Sequence, residues 1–203
     1  MIPSTDWHTF LRSRRSIRRF SAGDLSEVTI QRILNTAMFA PSAHNRQPWR
    51  FAIVGQNSSK SALADAMARR FRSDLQRDHL PEDEVEGRVE KSRLRIASAP
   101  LLIILCMDAS EMDRYPDASR SEAERLMAIQ STANAGMMLL LAIHAEGLGG
   151  VWNCAPLFAP DVVKTVLDLP ASWAPQALIM AGTMGPTPET PPRKDLTEVS
   201  IFI

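Results

Sequence analysis

The sequence predicts one domain of mixed α and β structure. Short apolar runs rich in β-branched and aromatic residues, at 49–54, 100–107 and 176–180, read as strands, and longer stretches with helical spacing lie before and between them. No linker, repeat or low-complexity segment divides the 203 residues, a length that suits a single sizeable core.

Trp7, Phe10 and Leu11 have helical spacing, and their helix gives way near Ser13 to a basic segment. Ser26 is the expected N-cap of a second helix running to about Phe39, with Val28, Ile30, Ile33, Leu34 and Ala37 facing inward. Two prolines, Pro41 and Pro48, bound a loop, and residues 49–54 form a strand closed by Gly55. Residues 58–80 and 81–97 have helical character but are strongly charged, so an exposed arm or lid is expected there. The unbroken apolar run at 100–107 ends in Asp108 and reads as a buried strand.

Ser121 and Glu124, three apart, form a capping box expected to open a helix reaching about Glu146. That helix would be roughly 39 Å long at 1.5 Å per residue. Its second half is apolar almost all round (Met137, Met138, Leu139, Leu140, Leu141), so more than one surface must cover it, and a subunit interface is the expected second cover. Gly147 is placed to cap its C-terminus. A shorter helix over 161–167 and the strand at 176–180 follow. Pro186, Pro188, Pro191 and Pro192 then make an extended tail that cannot be a central strand.

Charge narrows the function. Twenty-three basic and 23 acidic residues cancel, so no long-range field favours nucleic acid or an anionic membrane. The N-terminus has no apolar signal core, and the most apolar stretch, 133–143, is shorter than the roughly 20 residues a bilayer takes. Only Cys106 and Cys154 are present, with no disulfide pattern, which suits a reducing, cytoplasmic setting. HExxH, CxxC, GxSxG and Walker patterns are all missing. His144-Ala145-Glu146 followed by Cys154 imitates half of a zinc deaminase signature, but the paired thiolates are lacking, and His144 reads as a polar residue near a helix end.

Against that background the segment Arg14-Arg15-Ser16-Ile17-Arg18-Arg19-Phe20 stands out. Guanidinium forks match the paired oxygens of a phosphate, a serine hydroxyl can add a donor, and Ile17 and Phe20 would tie the segment to a core. In the loop at 41–48, Asn45 and Gln47 carry amides able to read the donors and acceptors of a heterocycle edge, with Ser42 beside them. Pro48 holds Gln47 extended. Gly149 and Gly150 exceed what a helix cap needs, and would let backbone approach a flat ligand. Arg193-Lys194 on the tail adds a further cationic group.

Taken in order, these segments resemble the FMN-dependent nitroreductase family. Arg14-Arg15-Ser16-Ile17-Arg18 and the run Pro41-Ser42-Ala43-His44-Asn45-Arg46-Gln47-Pro48-Trp49 are similar to its two N-terminal signatures. Gly147-Leu148-Gly149 and Pro192-Arg193-Lys194 stand where it has a glycine segment and a C-terminal basic residue. The resemblance implies an α+β nitroreductase-like fold: a mixed, mainly antiparallel sheet flanked by helices, with the long helix at a homodimer interface. It implies FMN as cofactor, held at its phosphate and ribityl end by Arg14, Arg15, Ser16, Arg18 and Arg193. Pro41, Ser42, Ala43, Asn45 and Gln47 would meet the ring or ribityl chain, partly from the neighbouring subunit, and Gly149 and Gly150 would present backbone near flavin N5. It further implies hydride transfer from NAD(P)H through the flavin to a small acceptor such as a nitroaromatic, quinone or enone, with no catalytic side chain and no metal.

A narrower likeness joins Tyr115-Pro116-Asp117, the run 120–125 and the run 166–170 to the FMN domain of the coenzyme F420 γ-glutamyl ligase. It implies the alternative of a dehydro-deazaflavin reductase or F420-binding flavoprotein. A third reading, a nucleic-acid or phospho-ligand module built on Arg12–Arg19, is opposed by the neutral balance and by the lack of stacking aromatics beside the arginines.

Overall fold

The structure, a computed structural model describing residues 3–203, is built on one antiparallel sheet of four strands. In chain order these are β1 (Trp49–Val54), β2 (Leu101–Asp108), β3 (Leu148–Asn153) and β4 (Trp173–Thr183), arranged β1-β2-β4-β3. Around them lie α1 (Ser4–Ser13), α2 (Glu27–Ala37), α3 (Asn57–Arg77), α4 (Glu82–Ala97), α5 (Ala118–Ala145), α6 (Pro160–Leu167) and the short α7 (Leu196–Val199). The α+β architecture is the expected one.

Strand alternation explains the layers. Leu101, Ile103 and Leu105 of β2, with Ala177 and Ile179 of β4, face Leu139 and Ile143 of α5 and Ile33 and Ala37 of α2. Leu102, Ile104 and Cys106, with Leu178 and Met180, face Leu63, Ala64 and Met67 of α3, Ile96 of α4 and Val163 of α6. β2 is therefore covered on both faces, and all eight of its residues are buried. That is why it reads as an unbroken apolar run with no polar alternation. Each fully buried Leu or Ile contributes about 1.5–3 kcal/mol.

The helices were legible where a single stripe decides them. Ser26 caps α2, its side chain accepting from the Thr29 amide at 3.1 Å. Val28, however, points outward: it precedes Ile30 by two positions, about 200° round the helix. The capping box at Ser121 is also corrected. Asp117 is the N-cap, accepting from the Arg120 amide at 2.9 Å, so α5 opens one turn earlier. Ser121 lies inside the helix, donating to the Tyr115 carbonyl, and Glu124 is buried.

The expected arm or lid is corrected too. α3 and α4 form a layer of the core, and only Ala68, Leu75, Val85 and Val89 make a small cluster of their own beyond the sheet. Their charge is carried on the outer face by ion pairs such as Arg93–Asp65 and Arg72–Glu86.

By length and composition α5 could cross a membrane, its best 18-residue window having a mean hydropathy of 1.6. It instead packs against α2 and strands β1, β2 and β3 as a core helix. At Gly136 it touches β3 so closely that a Cβ would lie 2.2 Å from the Trp152 ring.

Candidate functional site

β3 is the element the sequence hid, because two glycines interrupt its apolar pattern. Gly147 does cap α5, with φ +71°, as expected. The chain then enters β3 directly, Gly149 pairing with Gly182 and Gly150 with Ala181. The glycines are thus strand residues, and a third chain segment lies against them. Residues 14–17 run alongside β3: Ser16 bridges Gly150 in parallel fashion, and the Ile17 amide donates to the Gly150 carbonyl at 3.1 Å. A Cβ on Gly149 would come within 2.7 Å of the Ile17 side chain, which is itself 2 % exposed. Further on, Ser21 N donates to Thr183 O and Gly185 N to Arg19 O, so the basic segment is clipped to β4 as well.

This clip fixes the arginines at one end of the sheet. Arg14, Arg15 and Gly150 share a cleft of about 130 Å³ with Ser13, Ile17, His144 and Thr187. Burial, then the positive fields of Arg15 and Arg193, press the Arg14 guanidinium below its ordinary pKa. Arg15 donates through Nε to Thr190 Oγ1 at 3.1 Å, which ties the tail to the cluster. Among the described residues no carboxylate lies within ion-pair distance of Arg14, Arg15, Arg18 or Arg193, although twelve ion pairs form elsewhere. Converging cations without a matching acid could hold an anion. Arg18 stands apart, exposed, with a single 3.4 Å contact to the Ser16 carbonyl.

His144 is a member of this cleft that its sequence position did not reveal. Its ring stacks on Phe10 with centroids 4.8 Å apart, and Nε2 lies 2.8 Å from Ser13 Oγ. Burial chiefly, with Arg14 and Arg15 adding, holds its pKa below the ordinary value. A neutral ring suits a site already rich in positive charge.

The second group sits elsewhere. Residues 41–48 fold back on the middle of α5: Ala43 N donates to Ser131 Oγ at 3.1 Å, and Asn134 Nδ2 to the Pro41 carbonyl at 3.2 Å. Gln47 N donates to Ser42 Oγ, and Gln47 Nε2 to Asn45 Oδ1 at 3.2 Å. His44, Asn45 and Gln47 all have positive φ, 48–54°, a compact turn that only a well-supported loop sustains; Gln47 is thus left-handed before Pro48, a correction to the extended conformation expected there. The arginine cleft touches α5 at Leu140 and His144, whereas this loop is held at Ser131 and Asn134. Six to thirteen residues of helix, about 9–20 Å, lie between those attachments. Among the described residues, the side chains of Ser42, Asn45 and Gln47 bond within their own loop and none bonds to Arg14.

Two other signals have local explanations. Arg120 lies over the Tyr115 ring at 4.7 Å and pairs with Asp117, so residues 115–121 build the cap of α5. Asp168, at φ +48°, ends α6 in left-handed conformation. A wider cleft of about 480 Å³ on the α3 side, lined by Met67, Phe71, Asn153, Cys154 and Phe158, contains none of the residues expected to hold the cofactor.

The model of the nitroreductase family matches residues 11–183. The chain belongs to that family. Membership makes it an oxidoreductase. Among curated relatives, a 5,6-dimethylbenzimidazole synthase of Rhodospirillum rubrum is 30 % identical over 177 residues, covering 83 % of this chain and 77 % of the relative. An NADH dehydrogenase of Thermus thermophilus is 27 % identical over 205 residues, covering 89 % and 88 %. Among solved structures, a BluB-like flavoprotein of Clostridium difficile superposes with a TM-score of 0.79 at 19 % identity, covering 97 % of this chain and 98 % of that one. A Desulfovibrio desulfuricans protein described as a nitroreductase in complex with FMN gives 0.73 at 22 %, covering 100 % and 98 %. At these identities the structural likeness shows the nitroreductase-like fold alone.

Proposed function

We propose that the protein is an FMN-dependent oxidoreductase that moves two electrons from NAD(P)H to a small organic acceptor. The observation that carries this is the Arg14–Arg15–Arg193 cluster, cationic and without a carboxylate, beside a cleft that Gly150 lines. Its volume suits the phosphate end of FMN; whole-ligand pockets run to about 300–1,000 Å³. The FMN complex of the Desulfovibrio desulfuricans protein supports the choice of ligand.

Bound FMN supplies the redox chemistry, and the protein supplies position and charge. Arg14, Arg15 and Arg193 hold the phosphate, with Ser16 and Arg18 at its edge. Asn45 and Gln47, with Pro41, Ser42 and Ala43, belong to the site through a second copy. Two copies meeting along antiparallel α5 helices would lay the loop of one over the arginine end of the other, uniting two groups that attach to α5 at different points. Leu126 and Met137 of α5, and Met38 and Phe39 after α2, are exposed and would be covered in such a homodimer. A cytoplasmic setting fits two cysteines that are both free.

The test is absorbance of the purified protein and its anaerobic bleaching by NADH, NADPH or reduced F420, followed by turnover of a nitroaromatic, a quinone and an enone. A colourless protein that takes up no added FMN ends the proposal. Bleaching by reduced F420 alone would assign the donor to the deazaflavin reading. The relationship to the Rhodospirillum rubrum enzyme favours one second reading, formation of 5,6-dimethylbenzimidazole, which mass spectrometry of the reaction products would detect.

A further inference from the structure

Glu124 is the buried acid that neither the fold nor the proposed flavin site employs. It is 5 % exposed, and its Oε2 is buried without a hydrogen-bond partner. Taking a carboxylate out of water with nothing to meet it is among the costlier things a fold can do. Two further donors face it. One atom each of His44, Asp113 and Glu124 lie within 4.8 Å of one another, and these three side chains come from three separate segments.

The convergence follows from packing. Glu124 and Ser131 are seven apart on α5 and share a face. Ser131 holds the Ala43 amide, so the next residue, His44, is carried over Glu124. Asp113 follows Met112, which is buried against Met107 and Ala128 and so pins the connection between β2 and α5 at this place. Arg46 Nη2 donates to Asp113 Oδ1 at 2.5 Å and orients that carboxylate from outside.

The geometry points to a divalent transition-metal site at His44, Asp113 and Glu124. One imidazole nitrogen with two carboxylates matches Zn²⁺ or Mn²⁺; Ca²⁺ and Mg²⁺ favour all-oxygen sets. An ion about 2.1 Å from each atom would hold them roughly 3.4 Å apart in a tetrahedral arrangement, which the exposed His44 and Asp113 side chains can reach by rotation. Such an ion neutralises Glu124 and staples residues 41–48, with their three positive-φ residues, to the start of α5. The role is structural, and the redox chemistry does not pass through it.

The experiment uses full-length protein stripped on a chelating resin and titrated calorimetrically with Zn²⁺, Mn²⁺ and, as a control, Ca²⁺. One Zn²⁺ or Mn²⁺ per chain is expected, with Ca²⁺ far weaker. H44Q and E124Q should each weaken binding about tenfold or more. Without metal, E124Q should unfold at the same temperature as the wild type or higher; saturating Zn²⁺ should reverse that order. H44Q alters an exposed side chain, so its result stands even if E124Q fails to fold. Failure of the wild type to bind, or equal binding by wild type and H44Q, overturns the site. Neither readout requires flavin, so the proposed function stands or falls separately.

Discussion

Ile17 and Gly149 share one space: the isoleucine side chain occupies the position that a Cβ on the glycine would need, at 2.7 Å. The contact lets the arginine segment lie flat on β3 and donate to the Gly150 carbonyl. G149A should therefore push residues 14–17 off the strand. A loss of about 1–3 kcal/mol in denaturant unfolding is expected, as for other overpacked cores. FMN affinity should fall with it, since Arg14 and Arg15 are carried on the displaced segment.

Arg14 is crowded by like charge, and its removal should separate binding from folding. R14A is expected to weaken FMN binding by about 1.5–3 kcal/mol, the range for a hydrogen bond to a charged group. The flavin-free protein should be no less stable, because repulsion from Arg15 and Arg193 is relieved. Fluorescence titration of FMN beside thermal unfolding of the flavin-free protein checks both halves; unchanged affinity would remove Arg14 from the site.

The His144 imidazole has a lowered pKa in the folded chain, from burial first and from Arg14 and Arg15 next. Below its unfolded value, about 6.5, the unfolded chain takes up the proton more readily than the folded one. Stability should thus be fully present above that pH and decline as the solution is acidified through the folded pKa. H144Q should flatten the decline that sets in below about pH 6.5 in urea-unfolding series, leaving the carboxylate-linked loss at lower pH.

Gly136 sits in the middle of α5, where alanine would ordinarily gain about 1 kcal/mol in helix propensity. Here the Trp152 ring lies 2.2 Å from the position of the added methyl, and Leu105 Cδ2 lies 2.7 Å from it. G136A should destabilise by roughly 1–3 kcal/mol despite the propensity gain. A rise in the unfolding midpoint would mean that β3 and α5 pack less tightly than described.

Local chemistry made much of the fold legible. The Ser26 cap, the 3.6-residue stripe of Ile30, Ile33, Leu34 and Ala37, and the unbroken run of β2 each follow from a pattern within one element. β3 was illegible for the opposite reason: Gly149 answers to Ile17, more than 130 residues away, and no window along the chain contains that contact. The true cap of α5 was misplaced because Asp117 and Ser121 offer the same chemistry one turn apart, and it is the Asp117 carboxylate that accepts from a first-turn amide, that of Arg120. His144 entered the cleft through Phe10 and Ser13, again a distant pairing.

By itself, then, the sequence determined the types of element, the cationic segment and the amide-bearing loop, because side-chain chemistry and periodicity are local properties. Only the tertiary structure decided that Arg14, Arg15 and Arg193 converge with Gly150 and His144 while the loop of Asn45 and Gln47 is anchored about 9–20 Å back along α5, at Ser131 and Asn134. Those distances depend on how α5 lies across the sheet, and that is set by the summed packing of both faces, which no single stretch of residues encodes.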